Sequence, residues 1–437
     1  MQLVAYGAQD VYLTGSPKVT FFQAVYKKHT NFAMETIEQV VNGTAANNAR
    51  LSVTVARNGD LIGEMYLEMV SNVAKFYSDG ALATSEWVAE RAIADIELTI
   101  GGQRIDKHYQ KWWRLYSELY LDEAKKLQYG KMTSTATASG KVYLPLVFFF
   151  NRNPGLYLPL IALQYHEVRL DITLSATYAT YLSGTGFKVW GNYVYLDTEE
   201  RRRFAQKGHE YLIEQVLHTG VDTVTVASGE TSSKQVRLSY NHPVKELVWC
   251  FSNSGTTARL NDMWNTTTAG AVTLSKANVA VAPSDWINND LNLGNAYVSA
   301  PGAQGSPMAI ANVDVSNIWT EEALASAATD CVGPLSTFKL ILNGQDRFKE
   351  QSGKYFNQVQ PFYHHSGNPY PGIYSYSFAL KPEEHQPTGT CNFSRIDNAQ
   401  VEVVSKAGSC LTNMHMFAVN YNVLRIQSGM GGLAFSN

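Results

Sequence analysis

Apolar and polar residues alternate with a period of two along most of the chain. Residues 51–55 read LSVTV, residues 96–100 read IELTI and residues 168–174 read VRLDITL. The second half repeats the pattern at residues 236–240 and 374–378. Alternation over five to seven residues is typical of a strand with one face in the core. The pattern predicts about sixteen strands and an all-β protein.

Helical patterns are scarce. Residues 108–128 carry an apolar stripe at helical spacing, which predicts one helix there. A second, shorter helix is predicted within residues 197–214. The most apolar stretch, residues 142–163, is interrupted by Asn-Arg-Asn-Pro-Gly. It therefore predicts two short strands around a loop, since a membrane span needs about 20 uninterrupted apolar residues. The apolar stripe of the predicted helix over residues 108–128 consists of Trp112, Leu115, Tyr116, Leu119 and Tyr120.

The two halves of the chain resemble each other. Three pairs of segments occur in the same order in both halves, and the third pair is the most similar. In that pair, Gly-Gly or Asn-Gly follows an alternating strand, which predicts a tight hairpin turn in each half. The pairs are IEQV (37–40 and 213–216), RNGDLIGEMYLEM (57–69) with YNHPVKELVWCFS (240–252), and IELTIGGQRIDK (96–107) with FKLILNGQDRFK (338–349).

The spacing of the repeats locates an insertion. Asn58 corresponds to Asn241 and Gly102 to Gly344, and the second copy is about 60 residues longer between these points. Two copies of about 200 residues and about eight strands fit a double jelly roll, two eight-stranded antiparallel sandwiches with few short helices and long loops. We expect an N-terminal segment (1–31), a first jelly roll (32–200) and a second (201–437) that carries the insertion (253–334).

Composition and charge exclude some classes of function. Charged residues make up 17% of the 437 residues, against about 25% in typical proteins. The net charge is −3, so the basic footprint expected of a nucleic-acid-binding protein is absent. The one basic run, residues 201–203, follows two glutamates and is interpreted as a solvated helix face. The four cysteines form no CxxC motif, which favours free thiols.

No complete catalytic or metal-binding motif is present. The adjacent His364 and His365 are interpreted as loop histidines, because neighbours on a strand point to opposite faces. His166 is interpreted as a hydrogen-bonded structural residue, and Trp112 and Trp113 as core or interface residues. The glycine-rich GMGGL (429–433) is interpreted as a turn. We therefore expect no enzyme activity, no catalytic residue, no cofactor and no metal.

Long segments from one end of the chain to the other resemble the major capsid proteins of large icosahedral double-stranded DNA viruses, the nucleocytoplasmic large DNA viruses. The likeness is strongest to the capsid proteins of algal viruses. The segments are GSPKVTFFQAVYKKHTNFAMETIEQ (15–39), IGGQRIDKHYQKWW, PLIALQYHEV, LNGQDRF, GTCNFSRIDNA and YNVLRIQSGMGGLA.

The resemblance implies a structural protein of the virion, assembled in the host cytoplasm. It implies a double jelly-roll protomer, a homotrimeric capsomer of pseudo-hexagonal outline, and an icosahedral shell over an inner membrane. The implied partners are further copies of the chain, neighbouring capsomers, minor capsid proteins and the inner membrane face, with no direct contact to nucleic acid. It also implies outward loop towers and glycosylation, although the short segment 405–412 makes a glycan at that tip doubtful.

Two alternatives remain open. The chain could be a minor capsid or scaffolding paralogue of the same fold, which its abundance in purified virions would decide. It could instead be a carbohydrate-binding or glycan-processing jelly-roll protein, which a sugar-binding screen would reveal. Paired carboxylates in a cleft would support the latter. The candidates are Glu97, Asp106, Glu167 and Asp171, but alternation points Glu97, Glu167 and Asp171 outward.

Two further sites are predicted. Residues 20–30 form an amphipathic helix whose apolar side docks on the base of the protomer, with lysines toward the inner surface or minor proteins. The insertion contains an Asn-Thr-Thr acceptor at Asn265, the expected glycan site; Asn42 and Asn392 are acceptors beside strands and are expected to be unmodified. The docking residues are Phe21, Phe22, Val25, Tyr26, Lys27 and Lys28.

Overall fold

The computed structural model describes residues 7–17, 28–72, 87–133, 139–224, 233–253, 335–369, 372–405 and 411–435. Its strands form two β-sandwiches that follow each other along the chain. The first contains β1 (Phe32–Gln39), β2 (Val41–Asn42), β3 (Arg50–Thr54), β4 (Leu61–Val70), β5 (Ile93–Ile100), β6 (Gln103–Tyr109), β7 (Lys141–Pro145), β8 (Leu158–Pro159), β9 (Val168–Leu174) and β10 (Lys188–Leu196).

The second sandwich also combines long and short strands. It contains β11 (His209–Thr223), β12 (Ser233–Leu238), β13 (Pro243–Asn253), β14 (Leu335–Leu342), β15 (Gln345–Asp346), β16 (Gln351–Ser352), β17 (Ile373–Ser377), β18 (Cys391–Asn392), β19 (Ala399–Ser405), β20 (Leu411–Gln427) and β21 (Met430–Leu433).

The two sandwiches have the same topology. In the first, one sheet has the order β1-β10-β4-β7 and the other the order β2-β3-β9-β5-β6. In the second, the orders are β11-β20-β13-β17 and β12-β19-β14-β15. Each strand of one sandwich thus has a counterpart in the other, apart from short additions at the edges. Eight antiparallel strands in two sheets of this order form a jelly roll, so the predicted double jelly roll is confirmed.

The hairpins and the insertion occupy the predicted places. Gly101 and Gly102 between β5 and β6 have φ of 57° and 82°, and Asn343 and Gly344 between β14 and β15 have φ of 51° and 79°. Positive φ at both central residues is the geometry of the tight type I′ turn. The β4–β5 connection covers positions 71–92 and the β13–β14 connection covers positions 254–334. The extra length of the second copy therefore lies in this one connection.

The helices lie in the connections. The predicted helix over residues 108–128 is wrong in its bounds: His108 and Tyr109 end β6, and two helices follow instead of one. The second predicted helix ends earlier than expected, because β11 begins at His209. The helices are α1 (Asp10–Thr14), α2 (Val88–Ala92), α3 (Gln110–Leu119), α4 (Glu123–Thr133), α5 (Phe149–Arg152), α6 (Tyr178–Tyr181), α7 (Thr198–Gln206) and α8 (Gln360–His364), with 3-10 turns at Pro154–Leu156, Leu160–Ala162 and Phe393–Arg395 and a π-helix at Tyr355–Val359.

Two large apolar clusters fill the interior. One consists of residues of the second sandwich, such as Trp249, Phe338 and Val401. The other joins the core of the first sandwich to Val248 and Phe417, which lie on the opposite face of the second sandwich's β11-β20-β13-β17 sheet. That sheet is therefore buried on both faces, and the first sandwich covers its outer face.

Candidate functional site: the junction between the two sandwiches

Aromatic rings from the end of β6 and from α3 form the apolar part of the junction. Trp112 lies 5.7 Å from Phe417 of β20, measured between ring centroids, and Tyr109 lies 6.2 Å from the same ring. Trp112 and Trp113 are both buried. This confirms the prediction from the helical stripe that Trp112 and Trp113 are core or interface residues. Phe417 extends from β20 into the core of the other sandwich.

One backbone N–H and one side-chain amide of β11 donate hydrogen bonds to β6 across the junction. The Val216 N–H donates to Asp106 Oδ1 at 3.0 Å, and the Gln215 side-chain amide donates to the Ile105 carbonyl. The second carboxylate oxygen of Asp106 lies 3.0 Å from His108 Nε2. Asp106, considered above as a possible cleft carboxylate, is buried and links the two sandwiches.

A buried ionic cluster lies beside these bonds. Arg152, the last residue of α5, donates to Glu214 Oε2 of β11 at 2.7 Å, and Lys245 of β13 lies 2.7 Å from Glu214 Oε1. Burial alone would raise the pKa of Glu214, but the two cations outweigh it and hold the pKa below its ordinary value. Burial lowers the pKa of Lys245 to about 8, against the opposing effect of Glu214.

Arg152 and Glu214 of this cluster line a cavity of about 310 Å³ together with Tyr116, Glu383 and His385. Its charged side chains are paired: Glu214 accepts from two cations, and His385 Nδ1 lies 3.9 Å from Glu214 Oε1. A carboxylate engaged in this way has no free oxygen for general acid–base chemistry. The ionic cluster holds the two sandwiches in one relative position. It lacks the geometry of a catalytic acid–base pair.

The interpretation of His364 and His365 as loop histidines is correct for His365 and wrong for His364, which is the last residue of α8. The His365 side chain is nevertheless buried and lies between two carboxylates. Its Nε2 lies 3.0 Å from Glu246 Oε2 and its Nδ1 lies 3.4 Å from Glu383 Oε1. Burial would lower the pKa of His365, but the two carboxylates outweigh it and raise the pKa to about 9. His364 differs: it is partly exposed, and its Nδ1 lies 3.0 Å from the Leu380 carbonyl oxygen. Sequence reasoning missed the pair of His365 with Glu246 because the two residues are far apart in the chain.

The turn after His365 connects the second sandwich to α3 by a backbone hydrogen bond. Gly367 N–H donates to the Leu119 carbonyl at 2.9 Å. A Cβ at this position would lie 2.2 Å from the Glu118 carbonyl oxygen, so only glycine allows this close approach. The Glu118 carboxylate in turn pairs with Arg114 at 2.7 Å and with Lys126 at 3.0 Å.

The other singled-out residues have structural surroundings. His166 Nδ1 lies 2.9 Å from the Gly431 carbonyl oxygen, so it is hydrogen-bonded as expected. Glu97 lies beside Lys107, and Asp171 pairs with Arg169 at 2.6 Å, both at the surface. No group of three or more potential metal ligands occurs among the described residues. In that part of the chain, too, no helix has the length and apolar character needed to cross a membrane.

The remaining candidates fall mostly outside the described residues. Asn265 lies outside them, as does most of the predicted N-terminal docking helix. Lys28 is described and exposed, and residues 28–30 are not helical, so the predicted helix does not extend to residue 30. Asn392 accepts from Ser394 N–H at 3.0 Å through its side-chain oxygen, as an N-cap of a 3-10 turn. The predicted docking residues that lie outside the described part of the chain are Phe21, Phe22, Val25, Tyr26 and Lys27.

Comparison with known proteins agrees with this architecture. The family described as "Major capsid protein N-terminus" matches residues 20–197, and "Large eukaryotic DNA virus major capsid protein" matches residues 200–432. The chain is 41% identical to the major capsid protein of Paramecium bursaria Chlorella virus 1, over 100% of this chain and 99% of the relative. It is 40% identical to that of Phaeocystis pouchetii virus, with the same coverage.

Solved structures give the same result. A chain from the structure titled "PBCV-1 virus capsid, quasi-atomic model" has a TM-score of 0.76 at 38% identity, covering 96% of this chain and 100% of that one. The Faustovirus major capsid protein has a TM-score of 0.66 at 13% identity, covering 97% and 94%, which supports the fold alone. The chain is therefore a viral capsid protein of the double jelly-roll class. More narrowly, it belongs to the family of large eukaryotic DNA virus major capsid proteins, which are structural proteins and not enzymes.

We predict that Glu214→Gln destabilises the protein far more than Glu210→Gln on the same strand. The first change leaves Arg152 and Lys245 without their buried partner, which costs about 3–5 kcal/mol. The second removes one half of an exposed pair with Arg425, which is worth about 1 kcal/mol or less. Urea unfolding of both variants measures the difference; equal losses would show that the buried cluster does not hold the junction.

We predict a pH-dependent contribution from His365. Its pKa is raised in the folded state, so its stabilisation is complete below about pH 6.5 and is lost as pH rises through about 9. The difference in unfolding free energy between the native protein and His365→Gln should shrink by on the order of 1 kcal/mol between pH 6.5 and 8. Denaturant unfolding at several pH values tests this, and parallel pH profiles of the two proteins would contradict it.

Proposed function

We propose that three copies of this chain form a capsomer of pseudo-hexagonal outline that tiles an icosahedral virion shell. The observation that supports this is the presence of two sandwiches of identical strand order side by side in one chain. Threefold symmetry acting on a duplicated unit gives six similar units around one axis. Such an outline packs with near-sixfold symmetry, and each contact between capsomers can be weak because many act together.

We also propose the division into an N-terminal segment (1–31), a first jelly roll (32–200) and a second jelly roll (201–437). The insertion, predicted as 253–334, begins after Asn253 because that residue ends β13, and it is proposed as an outward tower with Asn265 as its glycan site. Long loops with few charges and many Ser, Thr and Asn residues commonly lie at exposed surfaces. Neighbouring capsomers, minor capsid proteins and the inner membrane face are the proposed partners, with no direct nucleic-acid contact and with assembly in the host cytoplasm.

The trimer has a direct test. Light scattering on the purified protein should give three times the chain mass of 48.4 kDa. The interfaces should be obligate ones, which bury about 2,000 Å² or more in total. Dilution to micromolar concentration should leave the mass unchanged. A stable monomer under these conditions would overturn the trimer.

The N-terminal segment is proposed to dock on the base of the protomer. Phe21, Phe22, Val25 and Tyr26 would be buried there, with Lys27 and Lys28 toward the membrane side or minor proteins. Burial of two phenylalanines is worth roughly 3–6 kcal/mol.

Deletion of residues 1–31 should therefore leave both sandwiches folded and block entry into shells. Circular dichroism checks the fold, and electron microscopy of particles assembled with the truncated chain checks incorporation. A matched variant, Lys27→Gln with Lys28→Gln, separates the apolar contribution from the charges. Intact shells built from the truncated chain would contradict the docking role.

A further inference from the structure

The junction inside the chain provides a template for a contact between chains. In the first sandwich, α3 lies in the connection between β6 and β7 and packs on the outer face of the second sandwich's β11-β20-β13-β17 sheet. There Trp112 is 2% exposed. Val248, Cys250 and Phe417 form the face that receives it.

The counterpart of α3 in the second sandwich carries a similar apolar side, which is exposed in the part of the chain that the structure describes. This docking helix, defined as Tyr355–Val359 plus α8, lies between β15 and β17. Phe356 enters the core of its sandwich, as Trp113 does in the first. The residues that follow are exposed: Phe362 is 80% and Tyr363 is 73% exposed. Leu380, whose carbonyl oxygen lies 3.0 Å from His364 Nδ1, is 73% exposed.

Among the described residues, no second sandwich packs on the counterpart of the covered sheet face. The β1-β10-β4-β7 sheet of the first sandwich has Met65 and Leu67 inside, so the alternating residues of β4 point outward. Tyr66 lies 5.9 Å from Tyr143 and 6.5 Å from Trp190, measured between ring centroids, and all three rings are half-buried. We call these three residues the receiving face.

The charges at the two contacts also correspond. Inside the chain, Arg152 after β7 pairs with Glu214 on the outer face of β11. In the second sandwich, Lys381 follows β17 and is exposed, with a surface pair to Glu384. On the first sandwich, Glu38 lies on β1 beside Trp190 and has a surface pair with Lys188. Exposed pairs of this kind exchange partners at small cost.

We propose that the docking helix of one copy packs on the receiving face of the next copy, with Phe362 and Tyr363 against Tyr66, Tyr143 and Trp190. The helix belongs to the second sandwich and the face to the first, so the contact is head-to-tail and closes into a ring after three copies. The junction inside the chain and the contact between chains are then two versions of one packing. This inference rests on the proposed trimer and assigns its surfaces.

The test uses three single variants of the full chain. Tyr363→Asp changes the docking helix, Tyr143→Asp changes the receiving face, and Met430→Asp changes an exposed apolar residue of β21 as a control. Native mass spectrometry should show trimers for the native protein and the control. It should show monomers for the other two, because every contact in a ring of one variant contains the altered surface.

A mixture of the two interface variants tests the head-to-tail pairing. The helix variant keeps its receiving face and the face variant keeps its docking helix, so one unaltered contact can form. An equimolar mixture should therefore give a two-chain species with one copy of each variant. Absence of that species would overturn the pairing.

The remaining outcomes are distinguishable from failure of the trimer itself. A folded Tyr363→Asp variant that stays trimeric would overturn the inference and leave the trimer intact. A monomeric native protein would instead overturn the trimer. If Tyr143→Asp lowers the melting temperature and the trimer persists, a segment of the same chain covers the face and the inference is wrong. Phe362→Ser and Tyr66→Ser repeat each test with smaller changes.

Discussion

The outer face of the β11-β20-β13-β17 sheet is apolar, and the rest of the structure depends on its being covered. Trp249 points into the core of the second sandwich, whereas Val248 and Phe417 point into the core of the first. Separation of the sandwiches would expose this face to water, at about 25 cal/mol for each Å² of apolar surface. The two jelly rolls are therefore one packed body, and the duplicated chain has a defined relative orientation of its halves.

Burial of this face has an electrostatic consequence. Glu214 and Glu246 lie at the edge of the covered region and are removed from water. A buried carboxylate requires an opposite charge and hydrogen bonds. Arg152 of the first sandwich hydrogen-bonds Glu214 at 2.7 Å, and His365 of the second places an opposite charge 3.0 Å from Glu246. Such pairs add little net stability compared with apolar residues, but a misplaced register would leave a charge unpaired, so they specify one arrangement.

Duplication of the fold did not produce duplicate surfaces. The sheet face of the second sandwich that meets the first carries Val248, Cys250 and Phe417, whereas the corresponding face of the first carries aromatic rings bordered by Glu64 and Glu68. The side chains of Val248, Cys250 and Phe417 contain no oxygen or nitrogen atom, and such side chains suit a permanent interior. Tyrosine and tryptophan combine an apolar ring with a polar group, as the Trp190 indole N–H bonded to Glu68 shows, and suit a surface that is solvated until a partner arrives.

The sequence by itself determined the strands, the duplication, the hairpin turns at Gly102 and Gly344, and the family. These features depend on local patterns, namely the period of two, turn chemistry and repeated motifs. Such patterns can be recognised in the sequence without the three-dimensional structure. It also located the extra length of the second copy, because insertions do not disturb the order of the repeats. Only the tertiary structure decided that Asp106 bonds Val216, that His365 pairs with Glu246, and that α3 ends at Leu119. Alternation indicates which face of a strand a residue occupies, but whether that face meets solvent or another sandwich depends on residues in distant parts of the chain.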